Sequence, residues 1–259
     1  MSLWEWLLLV AILATVGGVA HYFWQDNESA RTAPAPPAMS GLPAEAPLSE
    51  PEKPEIRHPV PTPEVEEKPL PTLDQSDALI GDLVAGLVGQ KLFASLVGSE
   101  RLIRRIVATV DNLPRRVAPV RMRAVKPVPG PFAPGVKNRL RYEPLVKVFA
   151  SLDASMLVHE YVKLYPLFQS AYVELGHPDG YFNDRLVEAI DDLLAAPELK
   201  SPPELVQPKV LYLYADSALE GRSAGQKFLL RLGGDNAAKV KAKLREIRRE
   251  LTARHLKDE

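Results

Sequence analysis

Cysteine is absent from the chain, and histidine appears only five times. The first absence excludes disulfides, zinc–thiolate centres and an acylated lipoprotein cysteine, and leaves the redox compartment open. Catalytic signatures are missing as well: there is no HExxH, no GxSxG, no glycine-rich phosphate loop and no GxGxxG. His159, His177 and His255 follow residue 72 with no two at ligand spacing, so no metal site is expected. His159–Glu160 reads as a solvated helix face rather than an acid–base pair, and His177, before Pro178, reads as turn structure. The sequence therefore assigns no catalytic residue, no metal and no cofactor.

Proline is what the chain has in excess. There are 25, and twelve of them lie between Pro34 and Pro71. Residues 25–71 are mostly Pro, Ala and Glu, with nine acids against four bases. Such a stretch buries too little to fold. Residues 25–72 are accordingly expected to be a disordered, semi-rigid linker with polyproline II character, able to reach about 140 Å at full extension. Ahead of it, Trp6 to Trp24 read WLLLVAILATVGGVAHYFW, with only Thr15 and His21 polar. As a helix this run spans about 28 Å, close to a bilayer core. Trp4 and Trp6 at one end and Tyr22 and Trp24 at the other suit the two interfaces. Residues 1–24 are thus expected to be a single-pass membrane anchor. A signal peptide cleaved after Ala20 competes with that reading, but no Lys or Arg precedes the apolar run. Beyond it Arg31 sits among Asp26, Asn27 and Glu28, so nothing basic holds that side in the cytoplasm.

Residues 73–259 read as an all-α domain, an irregular helical bundle. Its centre is expected at Tyr165–Leu194. Leu167, Phe168, Ala171, Tyr172 and Leu175 recur at helical spacing, and Gly176 then stands where a helix end wants a left-handed residue. His177-Pro178-Asp179-Gly180 is turn chemistry. Phe182, Leu186, Ala189, Ile190, Leu193 and Leu194 make the second stripe, which sets the two helices antiparallel with apolar faces together. Ser76 or Asp77 is expected to cap a first helix, Ser99 a second that ends at Pro114, and Asp153 the long helix toward Gly176, kinked at Pro166. A short helix fits Lys91–Val97, and Pro144 suits a helix N1 position. Ser201-Pro202-Pro203-Glu204 looks like a helix start, and Val210–Tyr214 reads as a short helix because a lone strand would lack a partner. Asp235 is expected to cap a last helix whose stripe is Val240, Leu244, Ile247 and Leu251, with Lys and Arg on its other face.

Two charge features stand out. Residues 114–144 carry no period and form a long basic loop, with Arg115, Arg116, Arg121, Arg123, Arg139 and Arg141 as candidate contacts for anionic groups. Asp184, Glu188 and Asp191 fall at i, i+4 and i+7 with Asp192 beside them. They either face the arginines or supply, in Asp184 and Glu188, an acid and a base. Tyr161, Tyr165 and Tyr172 read as core and rim rather than a sugar platform.

Taken as a set, IRRIVATVDNLPRR (103–116), PVPGPF (127–132), RYEPLV (141–146), the hairpin stretch, VQPKVLYLYAD (206–216) and SAGQKFLLRLGGDNAAKVKAKLREIR (223–248) resemble a bacterial domain-of-unknown-function family, number 3014. The likeness covers most of Leu73–Leu251. It implies a proteobacterial inner-membrane protein with a mainly periplasmic domain, and it implies no activity. The expectation is therefore a non-enzymatic envelope protein that docks on a protein partner in the periplasm. An envelope-polymer hydrolase using Asp184 and Glu188 is the alternative. So is an anionic-lipid or nucleic-acid binder, although an external domain with little aromatic interleaving argues against nucleic acid.

Overall fold

The computed structural model describes residues 55–61, 69–90, 93–94, 100–119, 124, 128, 135–209 and 211–253. The anchor, the cleavage point after Ala20, residues 25–54 of the linker, the Ser99 cap, Arg121 and Arg123 lie outside the described residues, as does all but two residues of Lys91–Val97. Among the described residues no helix is long and apolar enough to cross a membrane.

The described chain is all-α apart from two strands of two residues each. Its elements are α1 (Ser76–Val88), α2 (Leu102–Asn112), α3 (Val136–Ala150), α4 (Ala154–Glu174), α5 (Phe182–Leu194), β1 (Leu205–Val206), β2 (Leu213–Tyr214), α6 (Ser217–Glu220), α7 (Ala224–Leu232) and α8 (Gly234–Ala253). Both stripes of the hairpin are buried as the spacing requires, with Phe168, Tyr172, Phe182, Ile190 and Leu193 all in the core. The turn is a Schellman motif. Gly176 takes φ +111°, its amide bonds Val173, and the His177 amide bonds the carbonyl of Tyr172. The imidazole of His177 then stacks on the Tyr172 ring, 4.4 Å between centroids, and seals the motif. The two helices do not press their stripes together, however. They meet mainly near the turn, where Phe182 stacks on Phe168, and α2 and α8 each pack against both.

Several expectations are corrected, each for a local physical reason. Pro144 lies inside α3 rather than at a start. The amide it lacks would have bonded Leu140, which is exposed, so solvent can meet that carbonyl. Pro166, by contrast, lies inside α4 as expected, on an exposed position. Of the expected short helix at Val210–Tyr214, the described residues 211–214 are not helical: Leu213 and Tyr214 pair antiparallel with Val206 and Leu205, the partner that no periodicity could reveal in so short a strand. Ser201–Glu204 leads into that strand instead of a helix. Asp235 falls within the first turn of α8 and binds Arg139, and the break before it is Gly233 at φ +83°. The last helix also turns two lysines inward. Lys241 donates to the carbonyl of Ala196 at 2.5 Å and Lys243 to that of Leu152 at 2.6 Å. These carbonyls lie just past α5 and α3, where a cation satisfies orphan acceptors and the helix dipole together.

Asp77 does not cap its own helix either. Its two carboxylate oxygens accept the amides of Arg101 at 2.6 Å and Leu102 at 2.8 Å, at the start of α2. Arg101 is left-handed there, φ +54°, and has no cap of its own. Asp77→Ala is expected to destabilise the chain by about 1 kcal/mol, the usual worth of an N-cap. Urea titration of the full chain measures it, and an unchanged midpoint would show the cap to be dispensable.

Candidate functional site

The polar residues converge where α2 ends and the α4–α5 turn passes over it. Asp111, next to last in α2, has a side chain only 4% exposed. Its carboxylate accepts from Arg115 Nη2 at 2.5 Å and from Arg185 Nε at 3.0 Å. Arg185 also donates to the main-chain carbonyl of Asp111 and reaches Glu188 at 2.8 Å. His177 Nε2 lies 3.6 Å from the same carboxylate, within range of its charge but too far for a hydrogen bond. Burial works against the Arg185 charge, yet Glu188 and Asp111 outweigh it and hold the guanidinium above its ordinary range. Burial, then the Asp111 charge, raises the Tyr172 hydroxyl above its usual value. These groups floor a cleft of about 350 Å³ whose further walls include Glu55, Arg57, Asp179 and Asp184.

One wall comes from the linker. Glu55–Pro61, expected to be free, lie on the first turn of α5. Asp184 accepts the amide of Arg57 at 3.0 Å and that of His58 at 2.7 Å. Asn183 donates to the carbonyl of His58 at 2.8 Å, and the Tyr181 hydroxyl accepts the amide of Val60 at 2.7 Å. The Val60 side chain packs against the core. No periodicity marks this contact, because the segment is recognised through its backbone.

The predicted site residues do not share one surface. Arg115 and Arg116 are exposed just past α2, beside an exposed Val117, and between buried Leu113 and Ala118. Arg139 is on the first turn of α3, joined to Asp235 at 2.6 Å. Arg141, one turn on, donates to the carbonyl of Val128 at 2.8 Å and lies over the Tyr142 ring. Ala124 donates its amide to Thr109 Oγ1, so the long loop is pinned at that point too. The acidic stripe faces neither loop nor solvent as a unit. Asp184 holds the linker, Glu188 holds Arg185, Asp191 pairs with Arg248, and Asp192 accepts from Ser223 and Gln226. What the sequence misses is Asp111 as the centre: one lone acid in a basic run carries no pattern. Arg139 instead borders a second, larger groove of about 700 Å³ with Leu199, Pro203, Leu229 and Lys241. Among the described residues no group of three His, Asp or Glu side chains is placed to hold a metal ion.

The chain belongs to the family described as protein of unknown function (DUF3014), whose model matches residues 102–248. That span contains Asp111, Arg115, His177, Arg185 and Glu188, but not residues 55–61. No curated protein and no solved structure matches it.

Proposed function

We propose, with membership of that family as the premise, that the protein is a non-enzymatic docking module of the bacterial envelope. In this reading residues 1–24 anchor it in the inner membrane, the linker spaces it, and the helical body binds a partner in the periplasm. The observation that carries the reading is the knuckle Arg115-Arg116-Val117. Arg116 and Val117, the valine 44% exposed, lie exposed beside Arg115, which is half exposed and paired with Asp111, while Leu113 and Ala118 on either side are buried and fix the backbone that presents them. Arginine is enriched in protein interfaces and among the residues that carry their binding energy, and Val117 sets an exposed apolar side chain beside it. A partner with carboxylates or phosphates is the complement, and Arg121 and Arg123 extend the same basic run. Asp111, Asp184 and Glu188 of the cleft are already committed to arginines and amides, which suits a scaffold rather than proton transfer.

A photo-crosslinking residue placed at Val117 in cells is expected to give one discrete protein adduct. Arg116→Glu together with Arg115→Glu should reduce that adduct at least tenfold while the thermal melt stays cooperative. An adduct that persists in the charge-reversed chain would remove this surface from the function. A periplasm-active reporter fused after Glu259 tests the compartment independently.

A further inference from the structure

The contact between the linker and α5 is built like a bound peptide. All four hydrogen bonds join side chains of the domain to the main chain of the segment: Asp184 accepts the amides of Arg57 and His58, Tyr181 accepts the amide of Val60, and Asn183 donates to the carbonyl of His58. None reads a side chain of the segment. Its one apolar anchor is Val60, while Ile56 remains 49% exposed. Pro59 and Pro61 flank that anchor and fix φ at those two positions, while the backbone bends at Arg57 and His58 so that both amides meet one carboxylate.

On the domain side the site is prepared. Asn183 is only 1% exposed, its amide is spent on His58, and its Oδ1 has no partner among the described residues. Asp184 lies in the first turn of α5, yet the N-terminal cap of that helix comes from Gln169 of α4. Gln169 accepts the amide of Phe182 at 2.9 Å and donates to the carbonyl of Gly180 at 2.8 Å. That leaves Asp184 free of capping duty and both its oxygens turned to the segment.

We propose that Tyr181, Asn183 and Asp184 form a receptor site for a peptide that bends to present two successive amides and carries a small apolar residue between two prolines, filled here by the chain's own Arg57–Pro61. The site does not depend on the docking surface at Arg115 and Arg116. Covalent attachment supplies an effective concentration in the millimolar range, so a modest intrinsic affinity suffices to keep the site occupied in cis. The same segment offered in trans, from a second copy or as a free peptide, competes for it. Occupation also takes the end of the leash out of play, and displacement lengthens it.

Trypsin reads the wild-type full chain directly, since Arg57 is followed by His58 and is cleavable. A synthetic peptide of residues 55–61 carrying Arg57→Gln, which trypsin does not cut, is expected at millimolar concentration to speed cleavage of the chain at Arg57 severalfold and saturably, and the same peptide with Val60→Asp to have no effect. Asn183→Ala with Asp184→Ala should speed it at least tenfold with no peptide present. In a second arm, residues 57–60 are replaced by Gly-Ser-Gly-Ser in the full chain, and the labelled peptide is titrated by fluorescence anisotropy. Saturable binding to that chain, at least tenfold weaker for wild type and for the Asn183→Ala version of the replaced chain, supports the site. Cleavage at Arg57 indifferent both to the peptide and to Asn183→Ala/Asp184→Ala would overturn it. Peptide binding that is equal with and without Asn183 would overturn it as well.

Discussion

Phe182→Ala is expected to destabilise the chain by about 3–5 kcal/mol, the range for deleting a large buried aromatic ring. Phe182 is 1% exposed and is the first residue of α5. It stacks on Phe168, 5.7 Å between centroids and nearly parallel, and meets Tyr172 at 5.6 Å. Because the hairpin helices touch mainly at this end, no second layer of contacts can take over when the ring is lost. Collapse into the hole is limited too: Gly180 on one side already lies against Tyr172, and α2 and α8 hold the helices from the other. Urea unfolding of the full chain measures the loss. A second signature separates this from a generic core defect. Asn183 and Asp184 follow in the same turn, so the amides of Arg57, His58 and Val60 should lose hydrogen-exchange protection well before the amides of α8 do. Loss below about 1.5 kcal/mol, or uniform loss of protection, would mean the aromatic cluster is not what joins the two helices.

How far the sequence goes depends on which residues answer each other. Elements whose signals are local were readable: the Phe168–Leu193 stripes, the Gly176 turn, and the cap of α4 by Asp153, which accepts the amide of Met156 at 2.8 Å. Ser223, at the head of α7, caps in the same local way. Caps delivered across the fold were not readable. Asp77 serves α2 from α1, Gln169 serves α5 from α4, and Lys241 and Lys243 serve the ends of α5 and α3 from α8. In each case the residue looks, in its own helix, like an unremarkable polar position. The acidic stripe of α5 was visible as a stripe, but its four carboxylates serve four different neighbours, and periodicity says nothing about partners. The docked linker was hidden for a third reason. Composition predicts whether a segment can fold by itself, and residues 55–61 cannot, yet a surface with unspent hydrogen-bonding groups can order them.

The same reasoning sets the consequence of removing Asp111. Asp111→Ala is expected to cost about 3 kcal/mol, the lower end of the range for taking one partner from a buried ion pair. Two arginines and His177 face that carboxylate, and their exposure decides what each does when it goes. Arg115 is 52% exposed and can turn to water. His177, a third exposed, lies 3.6 Å away and has no hydrogen bond to that carboxylate to lose. Arg185 is 15% exposed and cannot leave, because its guanidinium is held on the main-chain carbonyl of residue 111. It keeps Glu188, but that carboxylate is half exposed and worth less. The loss therefore belongs mainly to Arg185, and Arg185→Leu in the same chain should recover part of it. A double-mutant cycle read by urea unfolding is expected to give a coupling above 1 kcal/mol between positions 111 and 185, and below 0.5 kcal/mol between 111 and 115. Equal couplings would mean that the arginines share the charge as one cluster. Arg115 would then be part of the scaffold rather than a side chain free to meet a partner.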